Sequence, residues 1–277
     1  MVQRLKPRMP EGTRYLRSDG TPSKLSRKHK EEKWISYVKE PEEVHSPQAN
    51  LRSIILELLN SRTISNVILA DGDKYVGIAR LPKIAASIAL WHERDTPIYE
   101  IFLEPVKRVE EKVTPIDGEM SDKEVRELIK NEPLIDLYPV VEEGKVVASL
   151  PIREILATRV SDLPAIQLGE LALELPRANT LGEALMLMDE KVFPIVLVGD
   201  KVLKARDVLM KIWEERRNPI GEVSFDGLLK EPHIISENVT LKEVIELIKP
   251  ETDDGILISV KGEVRYVPWS LIFSQMI

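Results

Sequence analysis

The side chains with most chemistry to offer in this sequence are its cations, and they are unevenly placed. Residues 1–34 hold ten bases, Arg4, Lys6, Arg8, Arg14, Arg17, Lys24, Arg27, Lys28, Lys30 and Lys33, against four acids, a net +6. The rest of the chain holds 29 bases and 42 acids, a net −13. A basic arm on an acidic body is built to meet a polyanion. Tyr15 and Leu16 interrupt the bases, and Pro7, Pro10, Gly12, Gly20 and Pro22 oppose regular structure up to Ser23. The stretch Lys24 to Trp34 has the composition of a short helix. Lys and Arg take phosphates, and an aromatic such as Tyr15 stacks on an unpaired base. The acidic body and the lack of a recognition helix disfavour DNA. The arm carries too few apolar residues to offset an ordering cost of about 1–2 kcal/mol per residue, so it is expected to order only on its partner.

Other chemistry is missing from the sequence. There is no cysteine, hence no disulfide or thiolate site. No phosphate-binding glycine loop occurs, and His29, His45, His92 and His233 show no metal-ligand spacing. Glu110-Glu111 and Asp253-Asp254 read as solvated turns. No enzyme, metal or cofactor is expected. No apolar run approaches the roughly 20 residues that cross a bilayer, and MVQRLKPRMP lacks the apolar core of a secretory signal. Charged residues make up 31% while Asn and Gln are sparse, the balance of a heat-adapted protein. A cytoplasmic protein is expected.

The elements behind the arm repeat. Four segments begin at Asn50, Ser121, Thr180 and Thr240. Each opens on a capping residue, runs about ten residues at helical spacing and ends in a short apolar run suited to a strand. Ser121 with Glu124, Thr180 with Glu183 and Thr240 with Glu243 have capping-box spacing. Each strand leads into a polar turn, at Gly72, Gly144, Gly199 and Gly262, then a second strand and a short amphipathic helix.

Helix, strand, turn, strand, helix, four times in register, resembles the cystathionine-β-synthase (CBS) domain, whose copies pair into Bateman modules. The resemblance covers roughly residues 40–277. It implies an α/β fold (α+β CBS repeats) with a basic extended arm at 1–34, a first module at 35–158 and a second at 159–277. Each module is expected to bury its helices and sheets against its internal partner. Many CBS modules hold adenine nucleotides in the cleft between two repeats. Their signature is Gly, two apolar residues, Thr or Ser, two variable residues, then Asp. Glycine admits close approach, the hydroxyl meets phosphate and the Asp meets ribose.

This chain departs from that signature almost everywhere. The three positions are Gly77, Arg80 and Lys83 in repeat 1, and Ala148, Pro151 and Glu154 in repeat 2. They are Lys201, Lys204 and Asp207 in repeat 3, and Val264, Val267 and Ser270 in repeat 4. Lys accepts no hydrogen bond from ribose, and Pro offers no hydroxyl. Adenine nucleotide binding is therefore disfavoured; Asp207 either holds a ribose in one remaining site or caps or pairs near the start of its own helix. Arg80, Lys83, Arg153, Lys204 and Arg206 either offer cations to a larger polyanion or are solvated surface charges that balance nearby acids. The arm before four degraded repeats is similar to archaeal ribosome-associated CBS hibernation factors. That likeness implies a protein that binds the ribosome, ribosomal RNA and ribosomal proteins alike, and inhibits translation during dormancy. Arg4, Lys6, Arg8, Arg14, Tyr15, Arg17, Lys24, Arg27, Lys28, Lys30, Lys33, Arg80 and Lys83 would contact RNA. The alternative is a nucleotide-sensing CBS regulator.

Overall fold

The computed structural model describes residues 32–41, 43–159, 166–236, 239–241, 243–244, 248–250 and 254–277, together with two short strands of the arm. These strands, β1 (Tyr15–Leu16) and β2 (Pro22–Ser23), pair antiparallel with Tyr15 opposite Ser23. Regular structure thus begins earlier than the Pro and Gly spacing predicts, since Pro is tolerated at the start of an edge strand. Arg4, Lys6, Arg8, Arg14, Arg17, Lys24, Arg27, Lys28 and Lys30 lie outside the described residues, as does most of the helix expected over Lys24 to Trp34. Lys33 opens a 3₁₀ turn, Lys33–Tyr37.

The base of the arm is pinned. Trp34 is fully buried, and its indole N–H donates to Met120 O at 2.9 Å. The backbone N–H groups of Lys33 and Trp34 donate to the Asp122 carboxylate at 3.1 and 3.0 Å. Asp122 N–H donates in turn to Glu32 Oε2 at 2.7 Å.

The four-part rhythm is present. Repeat 1 is α1 (Leu51–Asn60), β4 (Asn66–Asp71), β5 (Lys74–Arg80) and α2 (Leu81–Leu90). A one-turn α3 (Ile98–Ile101) follows. Repeat 2 is α4 (Asp122–Asn131), β7 (Leu137–Glu142), β8 (Lys145–Pro151) and α5 (Ile152–Thr158). Repeat 3 is α6 (Leu181–Glu190), β11 (Ile195–Val198), β12 (Lys201–Lys204) and α7 (Ala205–Glu214). Repeat 4 has Leu241 and Val244 buried where its first helix is expected, then β14 (Ile256–Val260), β15 (Glu263–Val267) and α8 (Trp269–Phe273). The four turn glycines have φ between +62° and +85°, which is why the turns need them. Asn50 caps α1 through Ser53 N–H, and Ser121 with Glu124 forms the full reciprocal box on α4. The box at Thr180 is half formed, because Glu183 turns back to the N–H of Asn179 instead.

Small flanking strands extend the hairpins: β3 (Val44–His45), β6 (Ile116–Asp117), β9 (Leu173–Glu174), β10 (Arg177–Ala178) and β13 (Ile234–Ser236). Repeats 1 and 2 share one six-stranded sheet, β3-β4-β5-β8-β7-β6, while repeats 3 and 4 keep separate sheets, β10-β11-β12 and β13-β14-β15-β9. The module picture expects the helices to bury against the internal partner; among the described residues their main helix–helix packing is across modules. Helix α2 lies on α6 and α7, and α8 lies on α4 and α5. One apolar core therefore joins repeat 1 to repeat 3, and a second joins repeat 2 to repeat 4. Four short amphipathic helix pairs cannot cover themselves, and stacking one set on the other removes both apolar stripes from water.

Candidate functional site

Each cleft is crossed by a distant piece of the chain. The residue after each first signature position, Ile78, Ser149, Val202 or Arg265, pairs antiparallel with a residue that precedes the neighbouring repeat. Ile78 exchanges backbone hydrogen bonds with Glu111 at 3.0 and 2.9 Å, and Ser149 with Lys39 at 2.9 Å both ways. Val202 exchanges them with Lys230 at 2.8 and 3.0 Å. Arg265 is registered with Glu174. At Gly77 an added Cβ would stand 2.5 Å from Glu111 O, so the close approach that glycine permits is used by the chain itself.

The crossing residues also take the signature side chains. Arg80 binds Glu111 through Nε and Nη2 at 2.9 and 2.6 Å, both residues largely buried. Glu154 pairs with Lys39. Asp207, in the first turn of α7, pairs with Lys230 Nζ at 2.8 Å. Lys83 reaches across to repeat 3, 3.0 Å from Asp189 O and 2.9 Å from Asp189 Oδ1. Arg80, Lys83 and Asp207 all hold partners within the fold, and Lys33 is exposed at the arm's base. Aromatic rings fill further space. Tyr138 is fully buried and its hydroxyl donates to Glu132 O at 2.6 Å. Tyr266 donates to Asp254 O at 2.5 Å, and a Cβ on Gly255 would collide with its ring. Burial pushes both phenols well above their ordinary range.

Beside the Val202–Lys230 crossing a cavity remains. Between repeats 3 and 4 this cavity, of about 150 Å³, sets Lys204, Lys230, His233 and the acidic Glu231 over Ile195, Val202 and Leu257. Leu257 holds the register position that Tyr138 occupies in repeat 2. Lys204 has no acidic partner among the described residues. A phosphate could meet its ammonium there, with an apolar wall for a ring.

Sequence reasoning missed a charged knot. Arg153 is fully buried, with Nε donating to Pro250 O at 2.7 Å and Nη1 lying 3.4 Å from Asp136 and 3.2 Å from Asp254. Ser65 Oγ donates to Asp136 at 2.6 Å. Arg206 lies 3.5 Å from Asp254 and donates to the carbonyls of Leu58, Ser61 and Ile64. Burial pushes the Asp136 carboxyl up, against the pull of Arg153 and Ser65. Arg153 and Arg206 therefore serve the junction of the repeats, not an external anion. Asp254 and Glu111 are not solvated turn residues but fixed partners of arginines, because their partners lie far away in the chain.

No family model matches the sequence, and no curated protein matches it. Solved structures do. A Methanocaldococcus jannaschii protein, a proposed archaeal homolog of g-AMPK, superposes with a TM-score of 0.61 at 13% identity, covering 84% of this chain and 95% of that one. The chain has the tandem CBS fold. An uncharacterized Pyrococcus horikoshii protein matches at TM-score 0.49 and 12% identity over 87% of this chain and 98% of its own. The cystathionine beta-synthase pair domain of a proposed Mg2+ transporter from Shewanella oneidensis matches at 0.37 and 18%, over 50% and 75%. Among the described residues no cluster of His, Asp and Glu could hold a metal, and no helix is long and apolar enough to cross a membrane.

Proposed function

We propose that this chain is a non-catalytic regulatory protein whose cleft between repeats 3 and 4 takes a phosphate-bearing adenine nucleotide. The observation that carries the reading is Lys204, a half-buried ammonium without an acidic partner among the described residues, at an aliphatic-walled cavity where two lysines and His233 stand against one carboxylate, Glu231. The cavity's 150 Å³ is below the roughly 300 Å³ at which small-molecule sites begin. Binding must therefore widen it. Phosphate drawing Lys230 away from Asp207 does so, and frees that carboxylate to accept from ribose hydroxyls. In the other repeats the signature side chains are paired within the fold or apolar, and none leaves an ammonium without an acidic partner among the described residues, so one nucleotide per chain is expected. Calorimetric titration with AMP, ADP and ATP tests this. Lys204→Ala should weaken binding about 10–100-fold, the worth of a charge-assisted hydrogen bond of about 1.5–3 kcal/mol. An affinity unchanged in Lys204→Ala, or no heat with any nucleotide, refutes it.

A second reading rests on the net +6 arm and its pinned base. In it the arm contacts ribosomal RNA and blocks translation in dormant cells, while the CBS body orients it. Deleting residues 1–31 should then abolish cosedimentation with ribosomes while leaving the melting temperature of the body unchanged. Replacing Arg27, Lys28, Lys30 and Lys33 with Ala should flatten the salt dependence of binding by about three units if all four meet phosphate. A deletion variant that still sediments with ribosomes and still inhibits cell-free translation removes this reading.

A further inference from the structure

A groove of about 640 Å³ runs along one face of α4. Ser121, Glu124, Glu127, Leu128 and Asn131 line it, and their spacing of three and four residues makes one helical face its wall. Val125 and Ile129, on the other face, are buried in the core that joins repeats 2 and 4. Met120 and Leu128 give the groove apolar surface, and three carboxylates, Glu124, Glu127 and Glu132, stand in it against one ammonium, Lys123. Glu124 already accepts from Ser121, and Glu127 pairs with Lys130 at 3.1 Å. A carboxylate offers about four acceptor sites, so both keep room for a further cation.

The basic arm joins the body at one end of this groove. Trp34 donates to Met120 O, and the N–H groups of Lys33 and Trp34 hold the carboxylate of Asp122, the neighbour of Ser121. Asp122 N–H donates to Glu32. The chain ahead of Glu32 therefore starts within one residue of the groove's lining. Residues 24–31, KLSRKHKE, hold four bases, Lys24, Arg27, Lys28 and Lys30, one acid and one apolar side chain, Leu25. Their charge is opposite to that of the groove. Eight residues cover about 12 Å as helix and about 26 Å extended, and α4, of 10 residues, is about 15 Å long. A segment tethered at the groove's mouth also faces it at an effective concentration in the millimolar range, which no free cationic peptide matches.

We propose that residues 24–31 of the same chain dock in the α4 groove, with Leu25 against Met120 and Leu128 and with Arg27 and Lys28 among Glu124, Glu127 and Glu132. The contact folds the arm back on the body. It withholds these bases from an outside polyanion until one competes for them. It holds whether or not that polyanion is RNA, and it leaves the Lys204 cavity untouched.

Paramagnetic broadening in the full chain tests it. The sequence has no cysteine, so Ser26→Cys takes a single nitroxide label. At low salt the amide signals of Glu124, Glu127 and Asn131 should be lost, and should return when ascorbate reduces the label. They should also return at 1 M salt, where the screening length falls to about 3 Å. Two charge reversals should each restore the signals with the label still oxidised and the melting temperature nearly unchanged. One is Glu127→Lys, at an exposed position, and the other is Arg27→Glu with Lys28→Glu, which leaves α4 as it is. Mixing nitroxide-labelled chain with isotope-labelled chain that carries no nitroxide should broaden nothing. The proposal is overturned if the α4 signals stay intact beside the label at low salt, or if their loss survives 1 M salt and both charge reversals. Broadening in the mixture overturns it too, since the groove would then belong to a second copy.

Discussion

Arg153 Nη1 lies 3.2 Å from Asp254 Oδ1, and the two residues, 101 apart in the chain, are both sealed from solvent. The contact ties repeat 2 to repeat 4, and Asp254 passes the tie to Arg206 and so to the end of α1 in repeat 1. Among the described residues, removing Arg153 leaves Asp136 with no cation beside it and Asp254 with only Arg206, at 3.5 Å. Arg153→Ala should therefore cost about 3–5 kcal/mol in urea unfolding. The double variant Arg153→Met, Asp254→Leu should cost less than the sum of its single changes, because the contact that each single change breaks is the same one and is counted once.

The crossing pairs differ in burial, and their worth should follow. Arg80 and Glu111 are 12% and 17% exposed and joined by two hydrogen bonds, whereas Lys39 and Glu154 are 46% and 42% exposed. Arg80→Ala should destabilise by about 2 kcal/mol or more. Lys39→Ala should change stability by no more than about 1 kcal/mol. Equal effects in chemical denaturation would contradict the difference in burial.

Two glycines give opposite forecasts. Gly77→Ala drives a methyl against Glu111 O and should cost about 1–3 kcal/mol. Gly182, inside α6, has nothing within 4 Å of an added Cβ and ordinary helical backbone. Gly182→Ala should raise stability by about 0.4–1 kcal/mol. Melting temperatures of the two variants should move in opposite directions.

Acid should loosen the cap of α4. Hydrogen bonds from the backbone N–H and the hydroxyl of Ser121 hold the Glu124 carboxyl below its ordinary value. A carboxyl with a depressed folded pKa contributes stability above its unfolded pKa and loses it as pH falls through the folded one. Glu124→Gln should therefore lower the melting temperature near neutrality and leave it nearly unchanged in acid below both pKa values. A difference that grows toward low pH would reverse the assignment.

The rhythm of the fold is legible because it is local. Ser121, Thr180 and the apolar spacing behind them fix helices from neighbours a few residues away, and the turn glycines fix the hairpins. The clefts are not legible in the same way. Lys39 finds Glu154, and Glu111 finds Arg80, only once strands far apart in sequence lie side by side. Arg153 reads as a phosphate-seeking surface cation, since nothing beside it in the sequence announces Asp254. The helix stacking of repeat 1 on repeat 3 is equally hidden, because an amphipathic stripe says that it must be covered and not by what.

The crossing strands also bear on how the chain is made. Lys39 emerges long before Ser149 exists to receive it, and Ile78 stands as an open strand edge until Glu111 arrives. The same holds for Val202 before Lys230, while Glu174 waits for Arg265. No single repeat is a finished object as it leaves the site of synthesis, and a lone one would present an unpaired edge to its neighbours. The smallest piece that can be inherited, duplicated or deleted without exposing such an edge is the pair.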